Sequence, residues 1–136
     1  MNKFIKFLIV LFVILLLAYF AIMNMPKANI KNKEALKSVS ATELFQEFET
    51  NEDLASKNYI GKVIEVSGTI QKKMLDEQEA PVVLLGSGNE NQVLVTLEAD
   101  QASKLNNYNK GDQINIKAQC SGMLMEVVMN KGIIAD

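Results

Sequence analysis

Apolar and polar residues alternate cleanly along two stretches, Gly61–Ile70 and Lys110–Gly122. In the first, Ile64, Val66 and Ile70 fall on one phase and Glu65, Ser67 and Thr69 on the other. In the second, Ile114, Ile116, Ala118 and Cys120 oppose Gln113, Asn115, Lys117, Gln119 and Ser121. Period-two patterning predicts strands with one buried face. Both stretches open at a Lys–Gly or Gly–Lys turn and reach a glycine, as strands of a small, curved antiparallel barrel do. Gly68 interrupts its apolar row and predicts a bend or bulge.

The intervening sequence supplies the remaining elements. Ser40–Glu43 has the form of a capping box, and Leu44, Phe48, Asn51 and Ala55 follow at helical spacing, widened by Phe45. One helix is predicted from Ser40 to about Lys57. Asn51 on its inner stripe is read as a satisfied polar group or a helix break, with a ligand contact as the sharper reading. Met74–Ala80 is a polar loop; Pro81 opens a strand through Val82–Leu85. Gly86–Asn91 is a hairpin turn. Gln92–Glu98 is a strand with Val93, Val95 and Leu97 inward, and Ala99–Tyr108 a short helix. A last strand runs from about Glu126 to Ile134, its phase ambiguous between Met123, Met125, Val127, Met129 and Leu124, Val128. Helix, three strands, helix, two strands is the plan of the OB fold, a five-stranded Greek-key barrel.

Phe7–Met23 is an uncharged run of 17 residues, extended by Phe4 and Ile5 and bounded by Lys6. That is enough to span a bilayer, so the lipid bilayer is expected to contact residues 4–23. No small-residue cleavage site follows, because Phe20 and Met23 end the candidate triplets. The run therefore reads as an uncleaved signal anchor rather than a removed signal peptide. Three segments result: an anchor over 1–25, a lysine-rich linker over 26–39, and an OB domain over 40–136. The short N-terminus before a long C-terminal domain predicts a single-pass membrane protein with its domain outside the cytoplasm.

Charge changes the picture further. The net charge is −2, but the lysines cluster before residue 40. From residue 40 onward, 8 lysines face 15 acidic residues, a net of −7. A nucleic-acid footprint is usually basic. Lys62, Lys72, Lys73 and Lys117 remain as a candidate local patch. Of nine aromatics, five lie in the apolar run, and Phe45 and Phe48 belong to the helix stripe. Tyr59 and Tyr108 sit at element edges, so no predicted strand carries a stacking platform.

Chemistry is sparse. The chain has no His, no Arg and no Trp, which removes the commonest general acid–base and bidentate anion-binding groups. Cys120 is the single cysteine, on the buried phase of its strand. Asp76, Glu77 and Glu79 form a solvated loop more readily than a cation site. No catalytic residue, metal ligand or cofactor is assigned, and the chain is read as not an enzyme. The default ligand face is the outer face of the first three strands, Glu65, Ser67, Thr69, Leu94 and Thr96, with Lys117.

At Asn51-Glu52, Lys57, Tyr59, Gly61–Val63, Val66–Gly68, Lys110-Gly111 and Cys120–Gly122, the chain resembles the tRNA_anti-like family, bacterial OB-fold proteins of unknown function. The resemblance covers about residues 39–134. It implies a binding module, with single-stranded nucleic acid as one ligand class, and no catalytic residues to carry over. The leading expectation is a membrane-tethered, non-catalytic module that binds protein or another polymer at the cell envelope. Single-stranded nucleic acid is the first alternative. A structural or self-associating envelope protein is the second.

Overall fold

The computed structural model describes residues 2–24, 30–88 and 90–135. Asn89 of the predicted hairpin turn, and residues 25–29 at the anchor–linker boundary, lie outside that set.

A helix, α1 (Lys3–Met23), covers the apolar run. At 1.5 Å per residue its length is about 30 Å, the thickness of a bilayer's hydrocarbon core. Its mean hydropathy is 2.9, and none of it is buried within the protein. It is the one helix among the described residues long and apolar enough to cross a membrane.

The barrel comprises β2 (Val63–Leu75), β3 (Pro81–Ser87), β4 (Glu90–Leu97), β5 (Gln113–Met123) and β6 (Val127–Ile134). Around it the order is β2-β3-β4-β6-β5, and β5 returns to β2 to close it. All neighbours are antiparallel except β4 and β6. This is the OB plan expected from the element order. β2 is long because it serves two neighbours: Val63–Thr69 pairs with β5, and Ile70–Leu75 pairs with β3. The bend between the halves carries an extra residue between Ile70 and Lys72. It lies just beyond Gly68, where a Cβ would come within 3.1 Å of both Ala41 and Leu85.

The alternation places the core as expected. Ile64, Val66, Ile70, Val93, Val95, Ile116, Ala118 and Cys120 are essentially inaccessible. β6 begins with Val127 and Met129 inward. It then gains one residue at Lys131, whose φ is +54°, and continues with Gly132 and Ile134 inward. That slip inverts the alternation within the strand, with odd-numbered positions inward before Lys131 and even-numbered ones after it. At Gly132 a Cβ would sit 2.6 Å from Leu97 Cδ2 and 2.9 Å from Val95 Cγ1, so the backbones approach only with glycine there.

The predicted single helix is two, α2 (Ala41–Thr50) and α3 (Glu52–Tyr59). Ser40 Oγ accepts from the Glu43 amide at 3.1 Å and starts the first. Asn51 ends it and starts the second, its Oδ1 accepting from the Leu54 amide at 3.1 Å. Asn51 is thus a cap, a role worth about 1 kcal/mol in typical helices. α2 packs its buried Leu44 and Phe48 against the barrel, contacting β2, β3, β4 and β6. The helix between β4 and β5 is only a 3₁₀ turn, Ala99–Gln101, followed by α4 (Ala102–Leu105).

Within the stretch expected to be linker over 26–39, residues 30–39 lie on the barrel. A 3₁₀ turn, Ile30–Asn32, packs on β5 and β6 with Ile30 buried. β1 (Ser38–Ser40) then pairs in parallel with Glu65–Ser67, along the edge of β2 that β3 leaves free. Three residues, a single valine between two serines, show no period, so this strand has no signature in the sequence.

Candidate ligand-binding face

The strand registers decide which outward side chains are neighbours. Lys72 pairs with Leu84, Leu84 with Leu94, and Leu94 with Val128, giving one row across β2, β3, β4 and β6. A second row runs from Met74 through Val82 to Thr96. Leu84, Leu94, Thr96 and Val128 are half-buried. This β3–β4 surface corresponds to the ligand face of OB folds, flanked by the first-to-second and fourth-to-fifth strand loops.

The six residues predicted as a ligand face divide between two surfaces. Leu94 and Thr96 lie in these two rows. Glu65, Ser67 and Thr69 lie on the other half of β2, opposite Lys117, Asn115 and Gln113 of β5. Gln113 Nε2 donates to Thr69 Oγ1 at 2.6 Å. The Lys117 ammonium donates to the carbonyls of Lys31 and Lys33, at 3.0 and 2.9 Å. β1 occupies the adjoining edge. The stripe from Glu65 to Lys117 is therefore partly committed to holding residues 30–40. Sequence phase alone shows that these residues point outward; it does not show the bend that separates them from Leu94.

Of three further residues of the face, Leu84 and Val128 were not singled out by the sequence, and Lys72 was named only as part of the candidate lysine patch. The available signal was the unbroken run Val82–Leu85, which is apolar on both phases and so makes the outer face apolar too. The β5–β6 loop was also missed as a feature. Its Leu124 and Met125 are 86% and 88% exposed. A cleft of about 330 Å³ is lined by Leu124 of this loop and by Ile60, Met123 and Val128 among others.

The four candidate lysines do not converge. Lys62 donates to the Lys57 carbonyl, Lys73 to the Tyr108 carbonyl at 2.6 Å, and Lys117 as above. Lys72 is exposed on the apolar row. Neither edge tyrosine offers a free ring. Tyr59 is 3% exposed, and Tyr108 packs partly against the core. The Tyr59 hydroxyl donates to Glu47 at 2.6 Å and accepts from Lys37 at 3.2 Å. Burial and the bond to Glu47 push the Tyr59 pKa up.

The remaining polar features are also structural. Asp76 Oδ1 accepts from the amides of Gln78 and Ala80 and closes the β2–β3 loop. Burial raises the pKa of the Cys120 thiol, the direction away from a reactive thiolate. Among the described residues, no group of three His, Cys, Asp or Glu side chains is placed to hold a metal.

The model of the tRNA_anti-like family matches residues 1–133. The chain belongs to the tRNA_anti-like family. Among solved structures, this tRNA_anti-like chain is similar to a candidate nucleic acid-binding lipoprotein of Klebsiella pneumoniae. That match has a TM-score of 0.60 and 15% identity, covering 73% of this chain and 91% of the lipoprotein. It is also similar to the Stn1–Ten1 complex of S. pombe, with a TM-score of 0.43 and 11% identity over 54% of this chain and 57% of that one. At these identities the likeness concerns the fold. No curated protein matches the chain.

Proposed function

We propose that this tRNA_anti-like protein is a membrane-tethered, non-catalytic OB module that binds a polypeptide at the cell envelope through its β3–β4 face. The observation that carries the reading is the row Leu84–Leu94–Val128, an apolar, half-buried strip with the exposed Lys72 at its β2 end and no aromatic on it. Such a strip suits apolar side chains of a protein better than nucleobases, which need ring faces to stack on. The domain's net charge of −7 from residue 40 onward also repels a phosphate backbone. The absence of His from the sequence supports a role without acid–base chemistry. Helix α1 supports the tether, with the N-terminus inside and the domain outside the cytoplasm.

A photo-crosslinking residue at Leu94 of the full chain, expressed in its host, tests this reading. A discrete polypeptide adduct from Leu94, absent from a matched probe at exposed Glu77, is the expected result. Equal adducts from both positions, or none from Leu94, would reject it. Nucleic acid is the second reading, favoured by the likeness to the Klebsiella lipoprotein, and a nuclease-sensitive adduct at Leu94 would establish it instead. A C-terminal phosphatase fusion checks orientation: an inactive phosphatase would reverse it.

A further inference from the structure

The β5–β6 ribbon combines three features that point to the same partner. The first is the attachment of the tether. If α1 spans the bilayer, seven Cα steps separate its last residue, Met23, from Ile30, which is already seated on β5 and β6. Fully extended, they reach about 25 Å. A folded domain of about 100 residues has a radius of gyration near 13 Å and so is wider than that reach. The barrel is thereby confined to the bilayer surface, with the ribbon as its point of attachment.

The second feature is the tip. Leu124 and Met125 are 86% and 88% exposed, more than any other large apolar residue outside α1 among the described residues. They belong to the uncharged run Gly122–Met125. An isolated exposed leucine is ordinary, but two adjacent apolar side chains at the tip of a hairpin form a small wedge. Lys117, which clasps the tether, lies seven residues from Leu124, about 23 Å along an extended strand. Laid flat, the ribbon would touch the membrane at both ends.

The third feature is charge. Between Gln113 and Ile134 the charged residues are Lys117, Lys131 and Glu126, a net of +1 in a domain that is otherwise strongly acidic. The ribbon therefore does not share the domain's negative charge, and an anionic headgroup layer does not repel it.

We propose that the outer face of the β5–β6 ribbon docks on the bilayer and that Leu124 and Met125 insert into its interfacial layer. This rests on the membrane tether proposed above and specifies which surface faces the lipid. It leaves Leu84, Leu94 and Thr96 of the β3–β4 rows open toward a partner beside or above the membrane, with Val128 of β6 at the border between the two surfaces.

The chain has no tryptophan, so one substitution gives a selective reporter without a label. The full chain carrying Met125→Trp is reconstituted into phosphatidylethanolamine and phosphatidylglycerol vesicles with brominated acyl chains, and the floated fraction is read. Glu77→Trp, in the exposed β2–β3 loop, is the comparison. Docking predicts blue-shifted emission and strong bromine quenching for Met125→Trp, and neither for Glu77→Trp. Adding Leu124→Asp to Met125→Trp should abolish both signals while the chain still floats. A floated chain whose Met125→Trp emission matches that of Glu77→Trp overturns the docking alone. A chain that does not float overturns the tether and the docking together.

Discussion

Lys117→Met separates two roles for a residue that points outward from a candidate ligand face. The methionine keeps most of the stem's length and apolar contact but removes the ammonium and its bonds to the Lys31 and Lys33 carbonyls. A hydrogen bond to a charged group contributes about 1.5–3 kcal/mol when sheltered. Both bonds are solvent-exposed, so water replaces much of each. The expected loss is about 1 kcal/mol in total, near the ordinary net value of one hydrogen bond. That is about a fivefold change in the opening equilibrium of the strap, since 1.4 kcal/mol corresponds to tenfold. Amide exchange on the full chain reads it directly. Lys33, which donates to the Ile30 carbonyl, and Leu36, which donates to the Val63 carbonyl, should exchange faster by about that factor. Ile116, in the centre of the core, should change only as far as global stability falls. Unchanged exchange at Lys33 and Leu36, with loss of the Leu94 adduct, would refute the clasp and return Lys117 to the ligand face.

Three other perturbations probe the fold that presents the site. Gly132→Ala puts a methyl 2.6 Å from Leu97 Cδ2 and 2.9 Å from Val95 Cγ1; overpacking of this kind costs about 1–3 kcal/mol, seen as a lower midpoint in thermal melts. Asn51→Ala removes the cap of α3 and should cost about 0.5–2 kcal/mol, whereas Asn51→Asp, which retains the acceptor, should cost less in the same melts. The pH profile follows from shift directions. Tyr59 and Lys37 hold their protons more tightly when folded, Tyr59 through burial and Lys37 through its bond to Tyr59. Their contribution is complete below their unfolded values and lost as pH rises through the higher folded ones, so stability should fall above about pH 10. Asp100 is shifted down by its bond to Lys31. Its contribution is present above its unfolded value and lost on acidification, below about pH 4. Melts across pH, with Tyr59→Phe flattening the alkaline limb, check both signs.

The core was legible in the sequence because alternation and burial are the same fact for a strand with one wet face. β2, β4 and β5 show it, and the capping box at Ser40 marked the start of α2. Legibility stopped where position depends on more than phase. The slip at Lys131 inverts the alternation within one strand. β1 is too short to have a period. The ligand face was mixed for the same physical reason: phase reports inside or outside, whereas neighbourhood around a barrel is set by register. Glu65 and Leu94 are both outside, yet one borders β5 and the other β3 and β6.

That division bears on how weakly the module can bind and still act. The β3–β4 rows offer a few half-buried aliphatic side chains and no aromatic or arginine anchor, the residues that dominate tight interfaces. Once lost translational freedom and side-chain ordering are subtracted, such a strip gives modest affinity for a partner free in solution. A tether of about 25 Å changes the comparison. A partner fixed to the same membrane meets the face at an effective concentration set by confinement, and millimolar effective values are typical of short linkers. Modest affinity is then sufficient for occupancy, and selection comes from location as much as from contacts. The corollary is measurable: cutting the chain between α1 and Ile30 should abolish the Leu94 adduct at native expression while leaving the barrel's melting midpoint unchanged. Retention of the adduct by the released barrel would mean that the face binds tightly by itself, and that the apolar rows contribute more than their composition implies.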